Sequence, residues 1–321
     1  MLALATLGAD EYVRDVLPHS ERLWAGDRDF EQYVAEFRAT ASSAWGRRRF
    51  RTLGLRIDGE LVASCKRYAR VLRAGDRTFE AAGIGAVFTP EELRGRGYAT
   101  AMLGAFLDAE RANGTDLAYL FSDIRPTFYE HLGFLRLPSR TITLRADTLP
   151  SERIAIVALG DADEAAVRRT FESGEARRPL AFARTPLDWE WQRLRAASHE
   201  HAGQPIRFGL RRGRTLAAYV TGRRVPSADA FVLDEFAYAR DDDARTIPAL
   251  LRAAAGDLRK VQGWLPPAGA RGALPRGAVR TRRDAIAMVV PLSAAFRAAW
   301  TPARTAASTT DADPLWSTDH I

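Results

Sequence analysis

The sequence predicts an α/β protein in two successive halves: a mixed, mostly antiparallel sheet with flanking helices over residues 1–148, then a second, similar half over 155–300 and a tail at 301–321. Three observations lead there. The length of 321 residues suits two domains of roughly 150 residues better than one. Hydrophobic periodicity in the first 145 residues runs strand, two helices, three antiparallel strands, helix, strand, helix, strand. From residue 163 onward much the same order as 45–145 returns, which points to a structural repeat whose sequence similarity has faded.

The elements follow in order. Residues 1–7 read as a first strand, and 9–24 and 28–43 as helices. Asp27 is the expected N-cap of the second helix, whose Phe30, Tyr33, Val34 and Phe37 recur at helical spacing. Residues 50–57 alternate as a strand, Asp58-Gly59 signals a hairpin, and 61–72 answers it. Ala74-Gly75-Asp76 turns the chain into a strand at 78–89. A Gly-rich loop then opens a helix at 98–112, closed by Asn113-Gly114. Residues 117–122 are apolar without alternation, as in a strand covered on both faces. A helix at 127–132 and a strand at 134–144 end the half.

Residues 145–155 are polar, contain Pro150, and read as a linker. Helices are expected at 163–172, at 187–197 behind Pro186, and at 247–261. Strands are expected at 206–210, 216–222, 230–239, 263–265 and 285–291. Where a repeat would place its Gly-rich loop stands Tyr238-Ala239-Arg240-Asp241-Asp242-Asp243. Three carboxylates there repel a pyrophosphate, so this half is expected to lack a coenzyme site. Residues 301–314 read as a tether. An apolar pair, Leu315 and Trp316, then precedes Ser317-Thr318-Asp319-His320-Ile321.

Composition narrows the function classes. The net charge of +7 and pI near 9.9 invite a nucleic-acid reading. Only Lys66 and Lys260 are lysines, so 47 − 2 = 45 basic residues are arginine, scattered among 40 acidic ones. That pattern reflects a GC-rich bacterial genome more than a binding stripe, and no nucleic-acid partner is expected. No apolar run reaches the roughly 18 residues of a membrane helix, and the first residues lack a basic flank and cleavage site. Cys65 is the sole cysteine, which fits a reducing cytoplasm and a small strand residue without nucleophilic partners. An oligomer is compatible with everything in the sequence. His199 and His201 have no apparent third ligand and are read as surface. Trp189 and Trp191 are expected to pack.

The chemistry concentrates in Gly85-Ala86-Val87-Phe88-Thr89-Pro90-Glu91-Glu92-Leu93-Arg94-Gly95-Arg96-Gly97-Tyr98-Ala99. A strand leads into a two-glycine loop, and the loop opens a helix. The first turn of a helix leaves four N–H groups unsatisfied and attracts a pyrophosphate. Gly95 and Gly97 let phosphates approach the backbone, Arg94 and Arg96 add positive charge, and Ala99 does not crowd the ligand.

Arg94-x-x-Gly97-x-Ala99 matches the Q/R-x-x-G-x-G/A motif of the GNAT superfamily of N-acetyltransferases, and Phe128-Tyr129-Glu130-His131-Leu132-Gly133-Phe134 is similar to that family's F-Y-x-x-x-G-F. The resemblance covers about residues 1–145. It implies a GNAT sheet with two strands splayed around acetyl-CoA, followed here by a degenerate GNAT-like half. Backbone groups of Ala86, Val87 and Phe88 would pair with the pantetheine arm, and 94–99, including Gly95, Arg96 and Tyr98, would hold the pyrophosphate. Tyr129 stands where family members often carry the acid that protonates the departing sulfur. Phe128 reads as core. His131 points about 200° away from Tyr129 on a helix and reads as surface. Asp123 and Glu80 are positional candidates for the base. The chain also resembles the two-GNAT-domain enhanced intracellular survival proteins, which use their own terminus near the acceptor. By that likeness Trp316 would anchor the tail and the Ile321 carboxylate, or Asp319, would sit beside the acceptor amine. The stretch from Tyr119 to Tyr129 looks like the fungal lysine N6-acetyltransferases. Acceptors implied are therefore a free lysine-like amine, an aminoglycoside or a protein lysine. The alternative is an acyl-CoA sensor without catalysis, against which Tyr129 speaks.

Overall fold

A computed structural model of the chain describes residues 2–123, 125–151, 155–198, 203–309 and 313–321. The first part runs β1 (Leu2–Leu7), α1 (Ala9–Asp15), α2 (Leu17–Trp24), α3 (Phe30–Ser42), α4 (Ala44–Arg49), β2 (Phe50–Ile57), β3 (Glu60–Ala74) and β4 (Arg77–Phe88). It continues with α5 (Tyr98–Ala112), β5 (Leu117–Ser122), α6 (Pro126–Glu130), β6 (Leu135–Arg136) and β7 (Arg140–Arg145). The second part runs β8 (Ile156–Ala158), α7 (Glu164–Glu175), β9 (Leu180–Ala183), α8 (Pro186–Ser198), β10 (Gln204–Arg212), β11 (Thr215–Val225) and β12 (Ala230–Tyr238). Then come α9 (Ile247–Ala255), β13 (Lys260–Trp264), β14 (Ala278–Thr281), β15 (Ile286–Pro291) and α10 (Ala294–Thr309).

Two mixed, mostly antiparallel sheets with flanking helices result, as the sequence predicts. Their orders are β1-β2-β3-β4-β5-β15-β6, with β9 on β3, and β14-β7-β13-β12-β11-β10-β8. The sheets exchange strands. β7, expected to finish the first domain, pairs with β13 and β14 in the second sheet. In return β15 enters the first sheet between β5 and β6, from Ile286 opposite Ser122 to Pro291 opposite Leu117. The boundary drawn between 148 and 155 therefore does not separate the sheets. Burial explains the trade: Ile286–Val290 is buried at every position and suits an interior slot, whereas β7 alternates.

Other departures have local causes. The expected strand 134–144 is cut because Pro138 cannot donate to a ladder, leaving β6 and β7. Asp29, not Asp27, caps α3, its carboxylate accepting from the Gln32 N–H at 2.8 Å. The helix 9–24 breaks at Val16 before Pro18. The helix expected at 247–261 stops at Ala255, where Gly256 takes φ 60°. β8, β9, β14 and α4 are unforeseen short elements. The supposed tether is α10 through Thr309. The pair His199 and His201 lies outside the described residues.

The first sheet buries both faces. α5 covers one with Met102, Leu103, Phe106 and Leu107 against Ala63, Cys65, Ile84, Leu120 and Met288. Opposite lie two clusters, one built on Tyr12, Phe37, Trp45, Phe50, Tyr68, Phe88 and Trp191, the other on Tyr119, Phe182, Val289, Phe296 and Leu315. The second sheet has its own core with α7 and α9, which Trp189 and Trp316 join.

Candidate active site at the splayed strands

β4 and β5 begin as parallel neighbours, and their pairing ends early. Ala81 to Ile84 pair with Leu117 to Leu120, yet β4 continues to Phe88 and β5 to Ser122 without further pairs. The divergence has a cause in β4 itself. On its other edge Lys66 of β3 pairs with Gly85 and Ser64 with Phe88, so two β4 residues, Ala86 and Val87, oppose Cys65 alone. That is a β-bulge, and Ala86 carries it at φ 47°. Gly85, Ala86 and Val87 stay partly accessible in the middle of a sheet, as the floor of a cleft must.

The cleft leads to the Gly-rich loop. Gly95 and Gly97 have φ 79° and 80°, values that an L side chain adopts only with strain. Gly97 is the N-cap of α5 and no side chain caps that end. The first N–H groups of a 15-residue helix therefore face outward beside exposed Arg94 and Arg96. Arg94 Nε donates to the Thr89 carbonyl at 3.2 Å and Arg96 to that of Glu92 at 3.2 Å, which holds both arginines to the loop. Tyr98 and Ala99 open the helix, half-buried. These groups fit an adenosine pyrophosphate: outward N–H donors, positive charge and no obstructing side chain. The corresponding place in the second half is different. Asp243 is buried there, in the turn that leads into α9, and ion-paired to Arg212 at 2.9 Å, so a carboxylate stands where the first half has a glycine loop.

Tyr129 lies on the α5 side of the sheet, against Phe134 at 6.1 Å and Phe128 at 5.0 Å between ring centroids. Burial, with a lesser effect from the Asp123 charge, pushes its phenol up to about 12. The proton therefore stays on the oxygen at neutral pH, as a proton donor requires. His131 is exposed. Asp123 Oδ1 accepts from the Ala285 N–H at 3.0 Å and fixes the start of β15, and Glu80 is exposed on the sheet's far portion. Burial pushes the Cys65 thiol up to about 12, which keeps it unreactive.

The chain end comes to the opposite face. Trp316 is buried against Phe236, with ring centroids 5.0 Å apart. Asp319 is buried among three arginines, 3.8 Å from Arg70, 3.8 Å from Arg178 and 3.6 Å from Arg184. Arg184 also holds Glu235 at 2.6 Å and the Thr318 hydroxyl at 2.8 Å. The Thr318 carbonyl accepts from Gln192 at 2.7 Å and Arg195 at 3.0 Å. His320 packs edge-on to Phe121. Ile321 then ends over Gly83, where a Cβ would come within 2.6 Å of its Cδ1 and 2.7 Å of the Tyr119 hydroxyl. Gly83 lies one step before the last β4–β5 pair. The structure thus brings the tail to the root of the splay, with Tyr129 on the other side of the sheet.

One residue of this cleft went unread in the sequence. Lys66 projects from β3 on the tail's side of the sheet, beside Gly85, and remains partly accessible. Its Nζ sits 5.8 Å from the Tyr12 ring and 5.6 Å from that of Phe37. Burial, helped by the Arg28 charge, lowers its ammonium to about 8. The signal was composition: a lysine kept mid-strand in a chain that uses arginine 45 times out of 47.

With this geometry in hand, comparisons with known proteins agree. Residues 8–136 match the family model described as an acetyltransferase (GNAT) domain. The fold resembles a GCN5-related N-acetyltransferase from Kribbella flavida, at 20% identity and TM-score 0.68 over 91% of this chain and 72% of that one. It also resembles Eis1 from Mycobacterium abscessus, at 17% identity and TM-score 0.61 over 93% and 76%. A tandem GNAT protein of the clavulanic acid biosynthesis pathway aligns at 14% identity and TM-score 0.52 over 91% and 99%. No curated protein matches the chain in sequence. Among the described residues no helix is long and apolar enough to cross a membrane.

Proposed function

We propose that the chain, whose residues 8–136 match the GNAT acetyltransferase domain model, moves an acetyl group from acetyl-CoA to a primary amine by direct attack. The observation that carries this is the unpaired edge Gly85–Phe88 opening beside the uncapped start of α5. In this reading the backbone of Ala86, Val87 and Phe88 binds the pantetheine arm as an added strand. Arg94, Gly95, Arg96, Gly97, Tyr98 and Ala99 hold the pyrophosphate. Tyr129 donates its proton to the sulfur as the C–S bond breaks. The Ile321 carboxylate takes the proton that the amine loses, steered there by Asp319 and its arginines. The work of residues 1–148 is then chemistry, and residues 155–300 present the tail. A lysine-like free amine is the first acceptor to try, given the stretch from Tyr119 to Tyr129, with aminoglycosides and protein lysines next.

Release of free coenzyme A thiol from acetyl-CoA across an amine panel tests the reading. One amine class is expected to turn over, and Tyr129→Phe is expected to cut the rate at least about tenfold, as loss of a general acid does. An unchanged rate in the variant would remove Tyr129 from the mechanism. Binding of acetyl-CoA with no amine consumed would favour a sensor.

A further inference from the structure

A primary amine is already built into the cleft. Lys66 and Gly85 are cross-strand partners, and Gly85 directly precedes the Ala86 bulge at which β4 leaves β5. The Lys66 side chain lies on the face where Ile321 ends and the aromatic cluster of Tyr12, Phe37 and Tyr68 gathers. No carboxylate pairs with it among the described residues, and the one charge acting on its ammonium is Arg28, which repels it. This site keeps a side chain that can give up its proton, which guanidinium does not. On this face Lys66 and its partner Gly85, and Ala86 at the bulge, are partly accessible although they lie mid-sheet.

We propose that Lys66 is a self-acetylation site: when no acceptor occupies the cleft, its amine takes the acetyl group and the modified side chain blocks the acceptor path. The inference rests on the acetyl-transfer reading above. The Lys66 nitrogen attacks the thioester carbonyl carbon, so an N–C bond forms as the C–S bond breaks. Tyr129 protonates the departing sulfur, giving coenzyme A thiol. The nitrogen's surplus proton passes to the Ile321 carboxylate or to water. The product is an N6-acetyl-lysine amide, uncharged and longer than the amine it replaces.

The chain supplies its own control. Its second lysine, Lys260, is exposed at the start of β13 in the second sheet, not the sheet that carries the splay. The full-length protein is incubated with acetyl-CoA and no acceptor, followed by intact mass, and digested to assign the modified lysine. Acceptor turnover and acetyl-CoA binding by calorimetry are measured on the same preparation. The expected result is one acetyl group per chain, on Lys66, forming at least about tenfold faster than on Lys260 and slowed about tenfold by Tyr129→Phe. Acceptor turnover should fall in step with occupancy, and Lys66→Arg should take up no acetyl. If acetyl-CoA binds and acceptors turn over while Lys66 stays unmodified, self-acetylation is overturned and the enzyme reading stands. Equal labelling of both lysines, indifferent to Tyr129→Phe, is spontaneous chemistry and overturns it also. If acetyl-CoA neither binds nor reacts, the acetyl-transfer reading falls and this inference falls with it.

Discussion

Two ionisable side chains at the splay are shifted toward their uncharged forms, both chiefly by burial, and each shift has a measurable consequence. Tyr129, at about 12, keeps its proton across the working range, so turnover should show no loss from phenol ionisation as pH rises to about 10. A decline in that range that persists in Tyr129→Phe belongs to another group. Lys66 is lowered from 10.5 to about 8. Between those values the folded chain binds fewer protons at this site than the unfolded chain, so stability attributable to it rises with pH from about 8 to 10.5. Below about 8 its charged form carries a burial cost, at most about 3 kcal/mol from the size of the shift. Lys66→Met should therefore raise the melting temperature at pH 7 and flatten its rise with pH above 8. A variant that melts lower at pH 7 would show the ammonium to be stabilising. This residue was hidden from sequence reading because burial and ring contacts, not any motif, define it, while Tyr129 was legible through its neighbours Phe128, Gly133 and Phe134.

At the scale of elements, the tail docks through two different kinds of contact. Trp316 contributes apolar burial in the second core, and truncating such a side chain costs about 3–5 kcal/mol. Asp319 instead places a carboxylate among Arg70, Arg178 and Arg184, where removing one partner leaves buried charge uncompensated. Trp316→Ala should lower stability, and so should removing Asp319, whereas deleting only His320 and Ile321 should leave the tail anchored and abolish acetyl transfer if the Ile321 carboxylate is the base. Full turnover in a folded deletion variant would exclude that role. At the other end of the cleft, Gly97 at φ 80° tolerates a side chain only with strain of order 1 kcal/mol. Gly97→Val should weaken acetyl-CoA binding with little change in the acceptor's KM, and calorimetry reads this directly. The loop and α5 were readable because glycines, a helix start and periodicity all agree. α10 was not, since the small and polar residues of its second half read as linker, although Phe296 and Trp300 pack its first half on the sheet.

The whole molecule depends on the exchange of strands between sheets. Local pattern located the long strands, but it assigned β7 and β15 by order along the chain, and pairing across 115 and more residues leaves no local trace. What decides the exchange is burial: β15 is apolar on both faces and fills the slot beside β5, which β6 is too short to close. Each sheet is consequently incomplete without the other half. A chain ending at residue 148 would lack β15 and β9, expose Leu117, Tyr119 and Leu120 along the β5 edge, and strip the cover from Phe79 and Ala81. An unpaired apolar edge of that kind is an aggregation site. The full chain should therefore unfold in one calorimetric transition despite its two cores, and the 1–148 fragment should neither stay soluble nor bind acetyl-CoA. Coupling of this sort also ties the tail to the first sheet, because the second sheet that anchors Trp316 has exchanged strands with the sheet that ends at the splay. Two resolved transitions, or a soluble fragment that binds acetyl-CoA, would show that the exchanged strands add little and that the halves are independent.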